Sequence, residues 1–132
     1  MNMDSPSPAF TVLCIDDCEP TLDVLRASLS AWGYTALTAT CGVDGLNLLS
    51  SHAVDILVLD YNMSGMNGET VARKARQAYP ELPIVLFSGC SQEECSPVLS
   101  LVNQYIPKGT LAPLRHTLAT LLAPEQQNPS TC

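Results

Sequence analysis

Apolar residues in this chain gather into short runs, and each run stops at a polar residue. Phe10–Ile15 closes on Asp16 and Asp17, Ile56–Leu59 on Asp60, Pro83–Phe87 on Ser88, and a run from Asn103 to Pro107 on Lys108. The unbroken stretch Ile56–Leu59, with no alternation of polar residues, is the pattern of a strand covered on both faces in a parallel sheet. A weaker strand is expected over Tyr34–Ala39.

Between the runs the spacing turns helical. Leu22, Leu25, Leu29 and Trp32 predict a first helix from Pro20-Thr21 to Gly33. Val43, Leu46, Leu48 and Leu49 predict a short second one ending near His52, and Glu69–Ala78 a third with a modest apolar stripe, closed by Tyr79-Pro80. Ser91-Gln92-Glu93-Glu94 has the form of a capping box, but Pro97 would lie inside the helix it opens, at a cost of about 3 kcal/mol. The fourth helix is therefore expected to begin at Ser96-Pro97 and to run only to Val102. Leu111, Leu114, Leu118, Leu121 and Leu122 give the cleanest stripe of all, ended by Ala123-Pro124. Five strands alternating with five helices predict right-handed crossovers and a three-layer α/β fold, a doubly wound parallel sheet.

Composition narrows what such a fold can be. The 132 residues suffice for one domain, expected over residues 9–123, with a disordered lead-in at Met1–Pro8 and a polar tail over 124–132. An attached effector is not expected at this length, and Met1 with two polar ends favours a complete chain over a piece of a larger hybrid protein, which would look similar. A net charge of −7 argues against nucleic acid as a partner, and the small cluster Arg73, Lys74, Arg76 reads as a solvated helix face. The six cysteines form no C-x-x-C pair, which predicts free thiols in a reducing cytoplasm. Cys14 reads as core, whereas Cys18 and Cys90 each follow a strand-end residue closely. No leader pattern and no apolar run near ~20 residues appears, so no membrane span is expected. His52 and His116 read as surface residues.

Strand ends converge at the carboxyl edge of a parallel sheet, where open α/β folds bind ligands. Asp16, Asp17, Asp60, Ser88 and Lys108 would meet there. Crowded carboxylates repel one another unless some protonate or a cation joins them, and a hard divalent ion that uses few carboxylates is Mg²⁺ in character. An ammonium and a hydroxyl beside such acids suit phosphoryl chemistry, with Asp60 as nucleophile. Glycine-rich phosphate fingerprints are missing, since Asp16-Asp17-Cys18-Glu19 follows the first strand. Taken singly, each residue has a plainer reading: the acids as turn or helix caps, Lys108 as solvated, Tyr105 as an edge-strand aromatic.

In combination, Asp16-Asp17, the Asp60 loop through Met63-x-Gly65-Met66-x-Gly68, Ser88-Gly89 and Tyr105-Ile106-Pro107-Lys108 resemble a response-regulator receiver domain of two-component signalling. The resemblance covers Phe10–Leu122 and implies the flavodoxin-like strand order 2-1-3-4-5 of a chemotaxis receiver. It further implies that Asp60 takes a phosphoryl group from a histidine kinase or histidine phosphotransfer protein. Asp17 would bind Mg²⁺ with Asp16 and Asp60, Asn62 would add its backbone carbonyl, Ser88 and Lys108 would hold the phosphoryl oxygens, and Tyr105 would change its packing. Output would be to an unidentified protein target by a monomer or weak dimer.

Three departures from the family pattern stand out. Ser64 and Gly109 each replace a usual proline, and Gly109 thereby removes the support for a cis peptide, which costs ~2.5–4 kcal/mol without proline. The segment Ser91–Gln104 is short and contains Pro97, which alters the family's output face. Two other readings compete. A phosphohydrolase would need a second acid two residues beyond Asp60, where Asn62 stands, and a degenerate binding module would not need the full set of acids, hydroxyl and lysine.

Overall fold

The computed structural model describes residues 9–123, so the expected lead-in at Met1–Pro8, the tail over 124–132 and Cys132 lie outside the described residues. Strands β1 (Thr11–Ile15), β2 (Thr35–Ala39), β3 (Ile56–Leu59), β4 (Ile84–Ser88) and β5 (Gln104–Pro107) alternate with helices α1 (Glu19–Ala31), α2 (Gly42–Ser51), α3 (Gly68–Ala78), α4 (Ser96–Leu99) and α5 (Ala112–Leu121). All strand pairs are parallel, in the order β2-β1-β3-β4-β5. The expected α/β fold and strand order are both present.

Two apolar layers explain the unbroken runs. Residues of alternating parity along β1 and β3 point to opposite faces. Leu13, Ile15, Leu57 and Leu59 pack beneath α2, α3 and α4, while Val12, Cys14, Ile56 and Val58 pack beneath α1 and α5. With both faces covered, no position in β3 is available for a polar residue until Asp60.

Several local expectations need correction. Phe10 is exposed and precedes β1. In α2, Val43 is 54% exposed, because the helix approaches the sheet through glycine instead: a Cβ on Gly45 would collide with the Ile15 side chain. The capping box does form, with Ser91 N–H donating to Glu94 Oε1 at 2.9 Å and Glu94 N–H to Ser91 Oγ at 3.2 Å, but it heads a turn and not a helix. Regular α4 follows it and stops at Leu99, short of Val102. The sharpest division of polar from apolar residues belongs to α3 rather than α5.

Arg76 is also not a solvated residue of α3. Its guanidinium donates to the carbonyls of Leu101, Pro80 and Leu82 and to Asn103 Oδ1. One side chain thus satisfies carbonyls after α4 and after α3 that those short elements leave unpaired. Gly33, at φ 96°, ends α1 in the left-handed conformation. The peptide after Lys108 is trans, as are all those described. Among the described residues no helix is long and apolar enough to cross a membrane.

Candidate functional site

Hydrogen bonding at the strand ends aligns the acids. Asp16 N–H donates to Ala39 O and Asp60 N–H to Ile15 O, so the ladder continues one residue past β1 and β3 and fixes both backbones. Asp16 is 3% and Asp60 6% exposed, which is unusual for carboxylates without compensation. Compensation comes from Lys108, whose Nζ lies 2.7 Å from Asp16 Oδ2 and 3.5 Å from Asp60 Oδ2. Backbone donors take other oxygens: Cys18 N–H reaches Asp16 Oδ1 and Tyr61 N–H reaches Asp60 Oδ1, each at 2.9 Å. Asp17 is exposed and accepts from Ser64 N–H at 3.1 Å. A proline at position 64 would have had no proton to give.

The balance of charge leaves a deficit. Burial, then the neighbouring Asp16 carboxylate, raises the Asp60 pKa above its ordinary 3.8, against the lowering effects of Ser88, Lys108 and Tyr61 N–H. For Lys108, burial acts to lower the pKa, but the hydrogen bond and charge of Asp16, with the charge of Asp60, outweigh it and the net shift is upward. Asp16, Asp17 and Asp60 each offer an oxygen within 4.8 Å of the others. One ammonium facing three carboxylates leaves room for positive charge, and an all-oxygen donor set suits a hard divalent ion. The residues therefore fit a cation of the Mg²⁺ class.

Apart from Lys108, which follows β5, the β4–β5 half of the edge is built of neutral groups. Ser88, 1% exposed, ends β4 beside Asp60, and its Oγ accepts from Cys90 N–H at 3.3 Å. Tyr105 turns its hydroxyl inward and donates to Cys90 O. Burial, then Cys95 and Cys90, raises the Tyr105 pKa, so the hydroxyl stays a donor at neutral pH. Asn62 sends its side-chain amide to Cys90 Sγ at 2.8 Å. Of the two cysteines singled out by sequence, Cys18 is exposed and Cys90 buried; no disulfide joins any described cysteine. Cys14 is core, its thiol pushed by burial up to about 12.

All the predicted strand-end residues thus reach one edge. What sequence reading missed is the tie from Asn62 to Cys90 and the close passage at Gly68. A Cβ there would lie 2.5 Å from Asp60 O and 2.7 Å from Tyr61 Cα, while Gly68 N–H donates to Tyr61 O at 2.8 Å. A bare glycine lets the start of α3 rest directly on the backbone that carries Asp60.

Comparison with known proteins follows the same outline. The family model described as the response regulator receiver domain matches residues 12–108. Sensor histidine kinase RcsC of Salmonella typhi is 34% identical over 111 residues, which are 82% of this chain and 12% of that protein. The chain therefore spans about an eighth of the length of that curated relative. Among solved structures, the response regulator protein TrrA from Thermotoga maritima, in complex with Mg²⁺-BeF, superposes with a TM-score of 0.82 at 25% identity, covering 86% of this chain and 99% of that one. A structure of histidine kinase ThkA in complex with TrrA gives a TM-score of 0.81 at 25% identity over the same shares of 86% and 99%.

Proposed function

This chain belongs to the response regulator receiver domain family, and we propose that it is a phosphoacceptor whose Asp60 receives the phosphoryl group of a partner histidine kinase or histidine phosphotransfer protein. One observation carries the reading: Asp60 is buried at the end of β3 with Lys108 Nζ at 3.5 Å and the Asp16 and Asp17 carboxylates beside it. The ThkA–TrrA complex supports a kinase as partner.

In this reading Tyr61 N–H fixes one Asp60 oxygen and leaves the other, facing Lys108, to attack phosphorus. A bond forms between that oxygen and phosphorus as the phosphorus–nitrogen bond of the phosphohistidine breaks, its electron pair returning to the imidazole. Lys108 and the Ser88 hydroxyl then hold phosphoryl oxygens. Asp16, Asp17, Asp60 and the Asn62 carbonyl would hold Mg²⁺, which when bound neutralises charge on the phosphoryl group.

The domain, residues 9–123, acts as a signalling unit and not on outside substrates, because Asn62 stands where a hydrolase would place its second acid. Its output is a protein contact made by a monomer or weak dimer, without nucleic acid. Free thiols at every described cysteine fit the cytoplasm. Incubation with Mg²⁺ and acetyl phosphate should add one phosphoryl group, and Mg²⁺ removal should prevent it. Steady turnover of unrelated phosphoesters, without an adduct, would overturn the reading in favour of a phosphohydrolase.

A further inference from the structure

Cys90 is 5% exposed, and each of its polar atoms meets a different residue of the site. Its sulfur accepts from Asn62 Nδ2 at 2.8 Å, its N–H donates to Ser88 Oγ at 3.3 Å, and its carbonyl accepts from the Tyr105 hydroxyl. Asn62 comes from the loop after β3, Ser88 from the end of β4 and Tyr105 from β5. Three elements of the sheet edge are therefore joined at one residue.

The three bonds differ in kind. A thiol sulfur is a weak acceptor, and 3.3 Å is beyond the usual range of an N–H bond to oxygen, so both ties on the Asp60 side are weak. The bond to Tyr105 joins a hydroxyl to the carbonyl oxygen of the buried Cys90, a stronger acceptor than a thiol, so it is the firmer tie. Any stronger acceptor that reaches Asn62 will draw its amide from the Cys90 sulfur before Cys90 parts from Tyr105, whereas Ser88 Oγ, as the acceptor of the Cys90 N–H, can keep that bond while its own O–H donates elsewhere. A phosphoryl oxygen on Asp60 is such an acceptor.

We propose that Cys90 is a positioning residue that couples the Asp60 loop to the Tyr105 ring, with the thiol–amide tie to Asn62 as the part that gives way. This rests on the reading of Asp60 as phosphoacceptor. Cys90 does not touch the transferred group; it sets where Tyr105 sits in each state. The thiol has a counterpart in Cys95, whose Sγ donates to Ser91 O at 3.0 Å, but that bond stays within the turn and reaches no site residue.

The test compares wild type, Cys90→Ala, Cys90→Ser and Asn62→Ala, treated with Mg²⁺ and acetyl phosphate. Mass spectrometry gives the adduct, and ¹³C-labelled tyrosine NMR gives the Tyr105 shift per phosphorylated molecule. Wild type and Cys90→Ser, which keeps an acceptor, should show the full shift; Cys90→Ala and Asn62→Ala should lose at least about half of it. Equal shifts per adduct in all four proteins would overturn the role of Cys90 while leaving the Asp60 reading intact. No adduct in wild type would remove both. If the buried alanine variant fails to fold, the exposed Asn62→Ala variant decides alone.

Discussion

The β1–β3 half of the sheet edge and the β4–β5 half are built in different ways. In the first, backbone ladder bonds and the bare Gly68 contact fix Asp16 and Asp60, and Lys108 reaches across to them from the end of β5 at 2.7 and 3.5 Å. In the second, Ser88, Cys90 and Tyr105 are neutral and joined by individual hydrogen bonds, under a helix of only four residues. The backbone that carries Asp16 and Asp60 thus sits on close packing, and Ser88, Cys90 and Tyr105 sit on replaceable contacts.

The largest effect should come from breaking the packed half. Leu59→Ala removes a side chain with no exposed surface next to Asp60 and should lower stability by about 2–5 kcal/mol in a denaturant melt. Gly68→Ala should cost about 1–3 kcal/mol, since its new Cβ meets backbone that cannot rotate away, and should also slow formation of the adduct. In the other half, Arg76→Met frees the carbonyls after α4 and should cost about 1–2 kcal/mol. Amide exchange should quicken over residues 99–105 there, with the Asp60 adduct forming at a rate near that of wild type.

A smaller effect tests the charge itself. Because the folded-state pKa of Asp60 is raised, the native state holds that proton more tightly than the unfolded chain. Its contribution to stability is complete below the ordinary value of 3.8 and is lost as pH rises through the raised value. Without divalent cation, Asp60→Asn should therefore melt above wild type at pH ~8, the gap shrinking toward pH ~4. Mg²⁺ should stabilise wild type and close the gap. A gap that widens toward acid would show that Asp60 is stabilised by its charge instead.

How far these halves could be read in the residues differs for the same reason. Ile56–Leu59 announced a doubly covered strand because burial on both faces leaves a one-dimensional trace, and Asp60, Ser88 and Lys108 could be placed because each ends such a run. Pro97 likewise exposed the shortness of α4, although the turn in front of it was not foreseen. Arg76 was misread since nothing local tells a solvated arginine from one whose guanidinium crosses to Leu101, 25 residues away. The tie from Asn62 to Cys90 spans 28 residues and joins two loops, so no periodicity records it. Even the departure at Ser64 hid its consequence, a donor for Asp17.

The most direct test of the central claim is to locate the phosphoryl group. After brief treatment with Mg²⁺ and acetyl phosphate, peptide mapping of the trapped adduct should place it on Asp60 alone, and Asp60→Asn should carry none. A modified Asp16, Asp17 or histidine, or an adduct that persists in Asp60→Asn, would contradict the account.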